Sequence, residues 1–530
     1  IGTNAGFLHM FKDDDTNNKV SESWAFIPSE LYKIIEPLRD EHSTKEYGID
    51  GPISVYFNNK SLNDKDVNDG IVDAGRGHEV WAAVGMRRGG RNYYGLDITK
   101  PDSPSLMWII KGGEVDFENL GQTWSKPQVA YIKSKGNTPL LIFGAGYDTN
   151  KDSNDPDKAN IKTEDEVGRG IYIVNAKTGK KVWALTPSEN AFKGKYSIAG
   201  DVTLLDSNYD GYTDRIYAAD TGGGIWRIDI SDEGKFSHFQ LADLGNDADR
   251  RFFYKPVVAR TMFSKVTITD DGVVTRLDTP YDAIVIGSGN RSNPNGGGTA
   301  DELFMIRDEN TVTKLFESAP EVITPRMLMG MNNDKFGSAL DNVTEFVKLE
   351  DELANDFVGW RYKLATGEKS LAAATVVGGV AYFTSFTPTL DSSIKNQCSL
   401  SGGGGSLYAF HLHYGTKVYD DLKFATSTEV PDTPQLYFGS SCADSDDNGK
   451  CDDDPDEEVK SQFYLIGPGI KGENAENPLQ PLEITGPGLK AVNGKIQLVN
   501  DKVLGFGFKT QQTYIYKREE NDENIQNEDD

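Results

Sequence analysis

Ile216-Tyr-Ala-Ala219, then Asp220-Thr-Gly-Gly223, then Gly224-Ile-Trp-Arg-Ile228 is the stretch on which the reading of the fold rests. A short β-branched and aromatic run ends in small residues, a glycine-rich turn follows, and an aromatic-aliphatic run returns, which is the pattern of an antiparallel hairpin. The unit recurs. Val80-Trp-Ala-Ala-Val-Gly85 precedes Tyr93-Tyr-Gly-Leu-Asp-Ile98, and Leu140-Leu-Ile-Phe-Gly-Ala-Gly146 precedes Gly170-Ile-Tyr-Ile-Val174. Ala283-Ile-Val-Ile-Gly287 precedes Glu302-Leu-Phe-Met-Ile306, and Val380-Ala-Tyr-Phe383 precedes Ser406-Leu-Tyr-Ala-Phe410. With 55 glycines, few helical periodicities and unequal spacing between units, the chain reads as all-β. The architecture expected is a modified β-propeller of about seven blades with long loop insertions and a few short helices.

The opening Gly2-Thr-Asn-Ala-Gly-Phe-Leu-His-Met-Phe11 resembles the second half of such a hairpin. Its partner would come from upstream residues or from the C-terminal runs Val503–Phe508 and Thr513–Tyr516, the latter closing the ring. One propeller domain is expected over 1–517, with insertions near 13–73, 148–166, 313–366 and 426–485; the first includes a helix-like stretch, Ser29–Leu38. Loops on a rigid scaffold are where binding resides. The tail 518–530 is acidic and expected to be disordered.

Immediately upstream of the first hairpin lies Asp206-Ser-Asn208-Tyr-Asp210-Gly211-Tyr212-Thr-Asp214. Hard oxygen ligands alternate around a glycine that lets the backbone turn sharply, matching the first, third, fifth and ninth positions of an EF-type loop with the Tyr212 carbonyl at the seventh. The twelfth position is Tyr217 and not Glu, so Asp214 has to supply the closing carboxylate. The competing reading is an Asn/Asp/Gly turn that binds nothing. A second copy, Asp444-Ser-Asp446-Asp-Asn448-Gly-Lys450-Cys-Asp452, repeats the spacing with Lys450 offering its carbonyl. Both loops are expected to take Ca2+ over Mg2+, because flexible loops with several carboxylates and a carbonyl suit the larger ion. Cys442 and Cys451 bracket the second loop. A disulfide there would preorganise its carboxylates, contributing about 2 to 3 kcal/mol; pairing of Cys398 with either of them stays open. Asp148-Thr-Asn-Lys-Asp152, continuing to Asp157, is a weaker third pattern that Pro156 and the missing central glycine turn into a solvated insertion.

Lys and Arg number 55 against 82 Asp and Glu, a net charge of −27. Such a surface repels phosphate backbones and anionic lipid heads, so neither nucleic acid nor a membrane surface is expected as partner, and divalent cations are. No apolar run reaches the length of a spanning helix, and Ile1–Gly6 has neither a basic nor an apolar leader segment. The chain is expected to be soluble as given and, opening without Met inside a strand-turn pattern, to be a fragment or processed form of something longer. Calcium loops and a disulfide suit an extracytoplasmic site.

Catalytic signatures are sparse. His411 and His413 share a strand face at period two, but no Glu or His partner stands at zinc spacing, and a half-exposed strand pair is expected. Gly296–Gly298 and Gly402–Gly405 lack the Lys-Ser/Thr that follows a phosphate cradle. No Gly-x-Ser-x-Gly elbow or His-Glu-x-x-His occurs. Trp81, Trp108, Trp183 and Trp226 are expected to pack between blades. Arg87, Arg88 and Arg91 beside Tyr93 and Tyr94 read as a solvated turn, or as a dock for an acidic partner.

Taken together, Asp206–Asp214 running into Arg215-Ile-Tyr-Ala-Ala-Asp-Thr-Gly-Gly-Gly-Ile-Trp226 resembles the calcium-loop blade of the PilY/PilC type IV pilus tip-associated adhesins. Supporting matches span nearly the whole chain: Gly2–Phe11, Gly48-Ile-Asp-Gly-Pro52, Gly89-Gly-Arg91 with Tyr94–Thr99, Trp124-Ser-Lys-Pro127, Phe143–Tyr147, and Cys398 ahead of Gly402–Tyr408. The resemblance implies the C-terminal propeller of a larger pilus biogenesis protein that caps the fibre with minor pilins. It also implies a calcium loop tied to extension versus retraction, hence twitching motility, and a missing N-terminal half that meets host or abiotic surfaces. Carried over, the ligands fall on Asp206, Asn208, Asp210, Tyr212 and Asp214. No Arg-Gly-Asp occurs, so integrin-type recognition does not transfer. The reading is non-enzymatic. Its rival is a quinoprotein (pyrroloquinoline quinone-dependent) dehydrogenase, suggested by Ala176-Lys-Thr-Gly-Lys-Lys-Val-Trp183; the adjacent cysteines typical of those enzymes are missing.

Overall fold

The computed structural model describes residues 1–14, 18–40, 45–58, 72–152, 163–245, 248–269, 271–296, 300–389, 403–419, 421–426, 428, 430–441, 460–466, 482–483, 488–492 and 495–499. An opening hairpin pairs β1 (Leu8–Asp14) with β2 (Lys19–Phe26). Five sheets of four or five strands follow in chain order. The first holds β3 (Ile53–Asn58), β4 (Glu79–Gly85), β5 (Asn92–Asp97) and β6 (Ser105–Lys111). The second holds β7 (Gln128–Ala130), β8 (Leu140–Gly144), β9 (Ile171–Asn175) and β10 (Lys181–Leu185). The third holds β11 (Thr203–Leu205), β12 (Arg215–Ala219), β13 (Gly224–Ile230) and β14 (Phe236–Asp243). The fourth holds β15 (Val257–Ile268), β16 (Val274–Gly287), β17 (Glu302–Asp308), β18 (Met329–Gly330) and β19 (Gly359–Lys363), the last two parallel. The fifth holds β20 (Thr375–Val377), β21 (Val380–Pro388), β22 (Gly403–His411) and β23 (Lys423–Ala425). Three-stranded β24 (Gln435–Ser441), β25 (Lys460–Ile466), β26 (Leu482–Glu483) and the hairpin β27 (Gly488–Val492), β28 (Lys495–Val499) complete the strands. All five hairpins read from the sequence form, as β4–β5, β8–β9, β12–β13, β16–β17 and β21–β22.

These strands are near-continuous apolar runs because both faces are covered. On β12, Ile216 and Ala218 join a core with Ile142 and Ile173 of the second sheet, while Tyr217 and Ala219 join one with Ile284 and Phe304 of the fourth. The same alternation seats Trp81 and Trp108 against Leu141 and Phe143, and Met305 and Trp360 against Phe383 and Phe410. Successive sheets thus stack face to face as propeller blades. Trp81, Trp108 and Trp226 are buried in these cores, and Trp183 stacks on Phe236 at 4.0 Å.

The turn of the β12–β13 hairpin shows why the sequence needs glycine there. Asp220 accepts hydrogen bonds from the Gly222 and Gly224 amides, both at 2.8 Å, and from Trp226 Nε1 at 2.7 Å. A Cβ on Gly222 would meet the Tyr196 ring at 1.9 Å and one on Gly224 would meet the Asp220 carboxylate at 2.4 Å, so neither position admits a side chain.

Two stretches read as insertions also supply scaffold. The 13–73 segment contributes β2 and β3 along with 3-10 turns at Ser29–Ile34 and Pro37–Arg39. The 313–366 segment contributes β18, β19 and two helices, α1 (Lys335–Ser338) and α2 (Val343–Asn355). Helix α2 starts where the Asn342 side chain accepts from the Glu345 amide, and it buries Phe346, Leu349, Glu350, Leu353 and Ala354, one helical stripe.

Some contacts cross the ring. Arg88 Nη2 donates to the Ser292 carbonyl at 2.9 Å, and the Tyr147 hydroxyl meets Ser292 Oγ at 3.2 Å, joining the first and second blades to the fourth. Only residues near the axis can do this, and there Trp124, Tyr147, Ala199 and Phe253 form a buried cluster.

Candidate functional site

The 206–214 loop joins β11 to β12 and is closed at its base by the Asp214 amide donating to the Leu205 carbonyl at 3.1 Å. Gly211 has φ +88° with open space around it, so the left-handed turn there is free of steric conflict. The carboxylates shape the loop from within. Asp206 accepts from the Asp210 amide at 3.1 Å and the Gly211 amide at 2.8 Å; Asn208 Oδ1 accepts from the Asp210 amide at 3.1 Å; Asp210 Oδ1 accepts from the Tyr212 amide at 3.0 Å. Asp214 accepts from the Ser207 amide at 3.1 Å and from Thr313 Oγ1 at 3.2 Å.

The structure ties the loop to three blades. The Thr213 amide donates to the Tyr131 carbonyl of the preceding blade at 2.7 Å, and Lys133 Nζ of that blade lies 3.1 Å from Asp210 Oδ2 and 2.8 Å from Asp232. On the other side, Arg260 of β15 donates to the Ser207 carbonyl at 2.6 Å, and Thr313 beyond β17 reaches Asp214. Slight burial raises the Asp210 pKa, but hydrogen bonds from Lys133 and the Tyr212 amide outweigh it and hold the carboxyl below its usual range. Hydrogen bonds to Asp232 and then Asp210 push the Lys133 ammonium up to about 12.

As a donor set the loop fits a hard divalent cation: three carboxylates, an amide oxygen and a main-chain carbonyl, with a lone pair left on both Asp206 oxygens, on Asn208 Oδ1 and on Asp210 Oδ1, while Asp214 and Asp210 Oδ2 would exchange a present hydrogen bond for the ion. The carboxylates are engaged separately, Asp210 by Lys133 and Asp214 by Ser207 and Thr313, and among the described residues no three His, Cys, Asp or Glu side chains are gathered to hold a metal ion. The second loop, Asp444, Asp446, Asn448, Lys450 and Asp452, lies outside the described residues, as do Cys398, Cys442 and Cys451, the runs 503–516 and the 518–530 tail.

Sequence reasoning missed what stands beneath the loop. Arg215, Arg227, Asp229 and Asp282 are fully buried and Asp308 is nearly so, at the seam between the third and fourth blades. Arg227 pairs with Asp229 and Asp308, both at 2.7 Å, and Arg215 and Arg260 pair with the two oxygens of Asp282. The Tyr217 hydroxyl donates to Asp308 at 2.9 Å. Arg215 Nη2 also donates to Thr313 Oγ1 at 3.0 Å, the hydroxyl that donates to Asp214, so the network and the loop share a link. The signal was present in part: Arg227 and Asp229 sit inside the otherwise apolar run of β13, covered on both faces, while Asp308 ends β17 beside Arg307 and gives no such contrast.

Other expectations are corrected. His411 and His413 are buried, not half-exposed; His413 Nδ1 meets the Tyr281 hydroxyl, and burial pushes His411 down to about 4. The described part of the 148–166 segment is exposed at Thr149, Asp152, Glu164 and Glu166, as expected of a solvated insertion, but it is anchored by buried polar residues. Asp148 accepts from the amides of Asn150, Glu166 and Val167, and Lys151 forms a fully buried pair with Asp165. Arg87 and Arg88 lie over the Trp124 ring at 5.0 and 5.5 Å, and Arg91 Nε donates to the Leu120 carbonyl at 2.6 Å, so the arginines pack inward.

A family profile described as the PilY1 β-propeller domain matches residues 1–311. The chain belongs to the PilY1 β-propeller family. Among curated relatives, the type IV pilus biogenesis factor PilY1 of Pseudomonas aeruginosa (strain UCBPP-PA14) is 26% identical over 446 residues, covering 76% of this chain and 35% of the relative. The PilY1 homologue of Xylella fastidiosa (strain Temecula1) is 23% identical over 442 residues, covering 78% of this chain and 26% of the relative. The chain therefore spans about a third or less of these PilY1 proteins. The crystal structure of the P. aeruginosa PilY1 C-terminal domain superposes with a TM-score of 0.53 at 16% identity, covering 88% of this chain and 90% of that one, which shows a shared fold. The 206–214 loop lies inside the part matched to the PilY1 propeller. Among the described residues no helix is long and apolar enough to cross a membrane.

Proposed function

We propose that this chain is the calcium-binding propeller of a type IV pilus biogenesis factor, acting outside the cytoplasm at the pilus tip. In this reading it promotes fibre assembly with minor pilins, biases extension against retraction, and supports twitching motility and attachment to host or abiotic surfaces. The observation that carries it is the alternating oxygen donors of Asp206, Asn208, Asp210, Tyr212 and Asp214 on a loop tied to both neighbouring blades, within the PilY1-matched region. A bound calcium would offset the mutual repulsion of three carboxylates and order the loop. The chain's own residues do the rest: Asp206 and Asp210 fix the turn through main-chain amides, and Thr313 and Lys133 connect the loop to the blades on either side. Loop occupancy can then bias docking to a pilin if two docking states bind calcium unequally.

Calorimetry on the whole chain tests the site. Calcium should bind more tightly than magnesium, and Asp210→Ala together with Asp446→Ala should abolish binding; unchanged stoichiometry would reject both loops. In the native organism, Asp214→Ala should alter pilus number and motility. A large drop in melting temperature with normal piliation would leave only a structural ion. The quinoprotein alternative would be favoured by dye-linked alcohol oxidation after adding pyrroloquinoline quinone and calcium.

A further inference from the structure

We propose that Lys133 is a tethered competitor of the metal at the 206–214 loop, and that Asp232 is the carboxylate that keeps its ammonium when Asp210 turns to the ion. The inference rests on the calcium reading above and concerns how that site is regulated. Lys133 opens a 3-10 turn, Lys133–Lys135, between β7 and β8, and so belongs to the blade before the loop. Its Nζ bridges two carboxylates of the next blade, 3.1 Å from Asp210 Oδ2 and 2.8 Å from Asp232 Oδ2. Among the described ligands, those of the 206–214 loop, Asp210 is thereby the one held by a fixed positive charge. Asp206 and Asp214 are held by main-chain amides and hydroxyls. An ammonium on Oδ2 takes a lone pair and the electrostatic attraction that a divalent ion would use.

The geometry supplies both states. Asp232 lies in the turn between β13 and β14, and that turn touches the one carrying Lys133: a Cβ on Gly234 would come within 2.3 Å of Ser134 Oγ. Lys133 can therefore stay on Asp232 without backbone movement while Asp210 rotates away. Lys133 and Asp210 are partly exposed, at 44% and 27%, so water meets both groups during the exchange. An exposed pair of this kind changes an equilibrium constant by about two- to fivefold. Before calcium arrives the loop is linked to the preceding blade through Asp210 and Lys133. With calcium bound that link is given up, and the ion's occupancy is felt outside its own blade.

Calcium titration by calorimetry of the full chain, as Lys133→Met, Asp232→Asn, the double variant and Lys135→Met, tests this. Lys133→Met should tighten calcium binding about two- to fivefold, and Asp232→Asn should weaken it by a similar factor, because Lys133 then has Asp210 alone. In the Lys133→Met background the Asp232→Asn effect should vanish. Lys135→Met removes the same charge two residues away and should tighten binding less. If Lys133→Met is no tighter than Lys135→Met, or if Asp232→Asn weakens binding equally with and without Lys133, only long-range charge is at work and the proposal fails. Melting temperatures without calcium verify folding, with Lys133→Gln as a second neutral variant. A wild-type chain that binds no calcium would overturn the calcium reading and this inference together; normal wild-type binding with unresponsive variants would overturn this inference alone.

Discussion

Asp214 and Arg215 are adjacent in the chain yet belong to opposite kinds of electrostatics. Asp214 closes an open loop whose acidic groups accept from main-chain amides, hydroxyls and a partly exposed lysine. Arg215 starts a strand and has no exposed surface; with Asp282, Arg227, Asp229 and Asp308 it forms a desolvated seam between two blades, to which the partly exposed Arg260 is paired. The same residue types serve different ends because water is present in one place and absent in the other. In the loop water screens each pairing, so any one of them is worth little. In the seam removal of one partner leaves a buried charge short of its counter-charge. The seam thus holds still the strand on which the loop's last carboxylate is mounted, and Thr313 spans the two.

The contrast can be broken most directly at Asp282, which holds Arg215 and Arg260 at once. Asp282→Ala should cost about 3–5 kcal/mol in urea unfolding, as expected for an orphaned buried charge; a loss below about 1 kcal/mol would show water entering the seam. A second comparison is in acid. His411 is held down to about 4 by burial, and His413 is held well below its usual range by burial, then by His411 and Arg307. Both are neutral when folded and would protonate near 6.5 when unfolded. Their contribution is therefore complete above pH 6.5 and lost as pH falls towards 4, about 3 kcal/mol for His411. His411→Gln should flatten unfolding free energy over that window, whatever its effect at neutral pH; an unchanged slope would place the acid sensitivity elsewhere. The smallest effect belongs to the loop. Without calcium, Asp210→Ala should shift stability by no more than about 0.5 kcal/mol, and a shift comparable to that of Asp282→Ala would erase the distinction between loop and seam.

The hairpins were legible because a blade strand covered on both faces must be apolar at consecutive positions and must stop at glycine, as at Ala219 and Gly224. The loop was legible as spacing alone; that Lys133 and Thr313 approach it depends on which blades are neighbours, and no local pattern carries that. The burial of Lys151 follows from Asp165, fourteen residues away and across another turn. His411 and His413 looked half-exposed because period two identifies a face but not what covers it; here Tyr281 and Tyr414 do. Helix α2 could have been read from Phe346, Leu349 and Leu353, whose spacing fits one face.

The cluster at the axis has a mechanical consequence. Trp124 and Tyr147 lie in or just before the second blade, Ala199 precedes the third and Phe253 the fourth, and the aromatic rings meet within 5.1 to 5.4 Å. With Arg88 and Ser292 joined across the middle, no one of these blades can peel outward while the others keep their contacts. The ring should behave under load as a unit that yields all at once rather than as a stack shed one leaf at a time. Amide protons on the interior strands β8 and β12, each paired on both sides, should then exchange last and together.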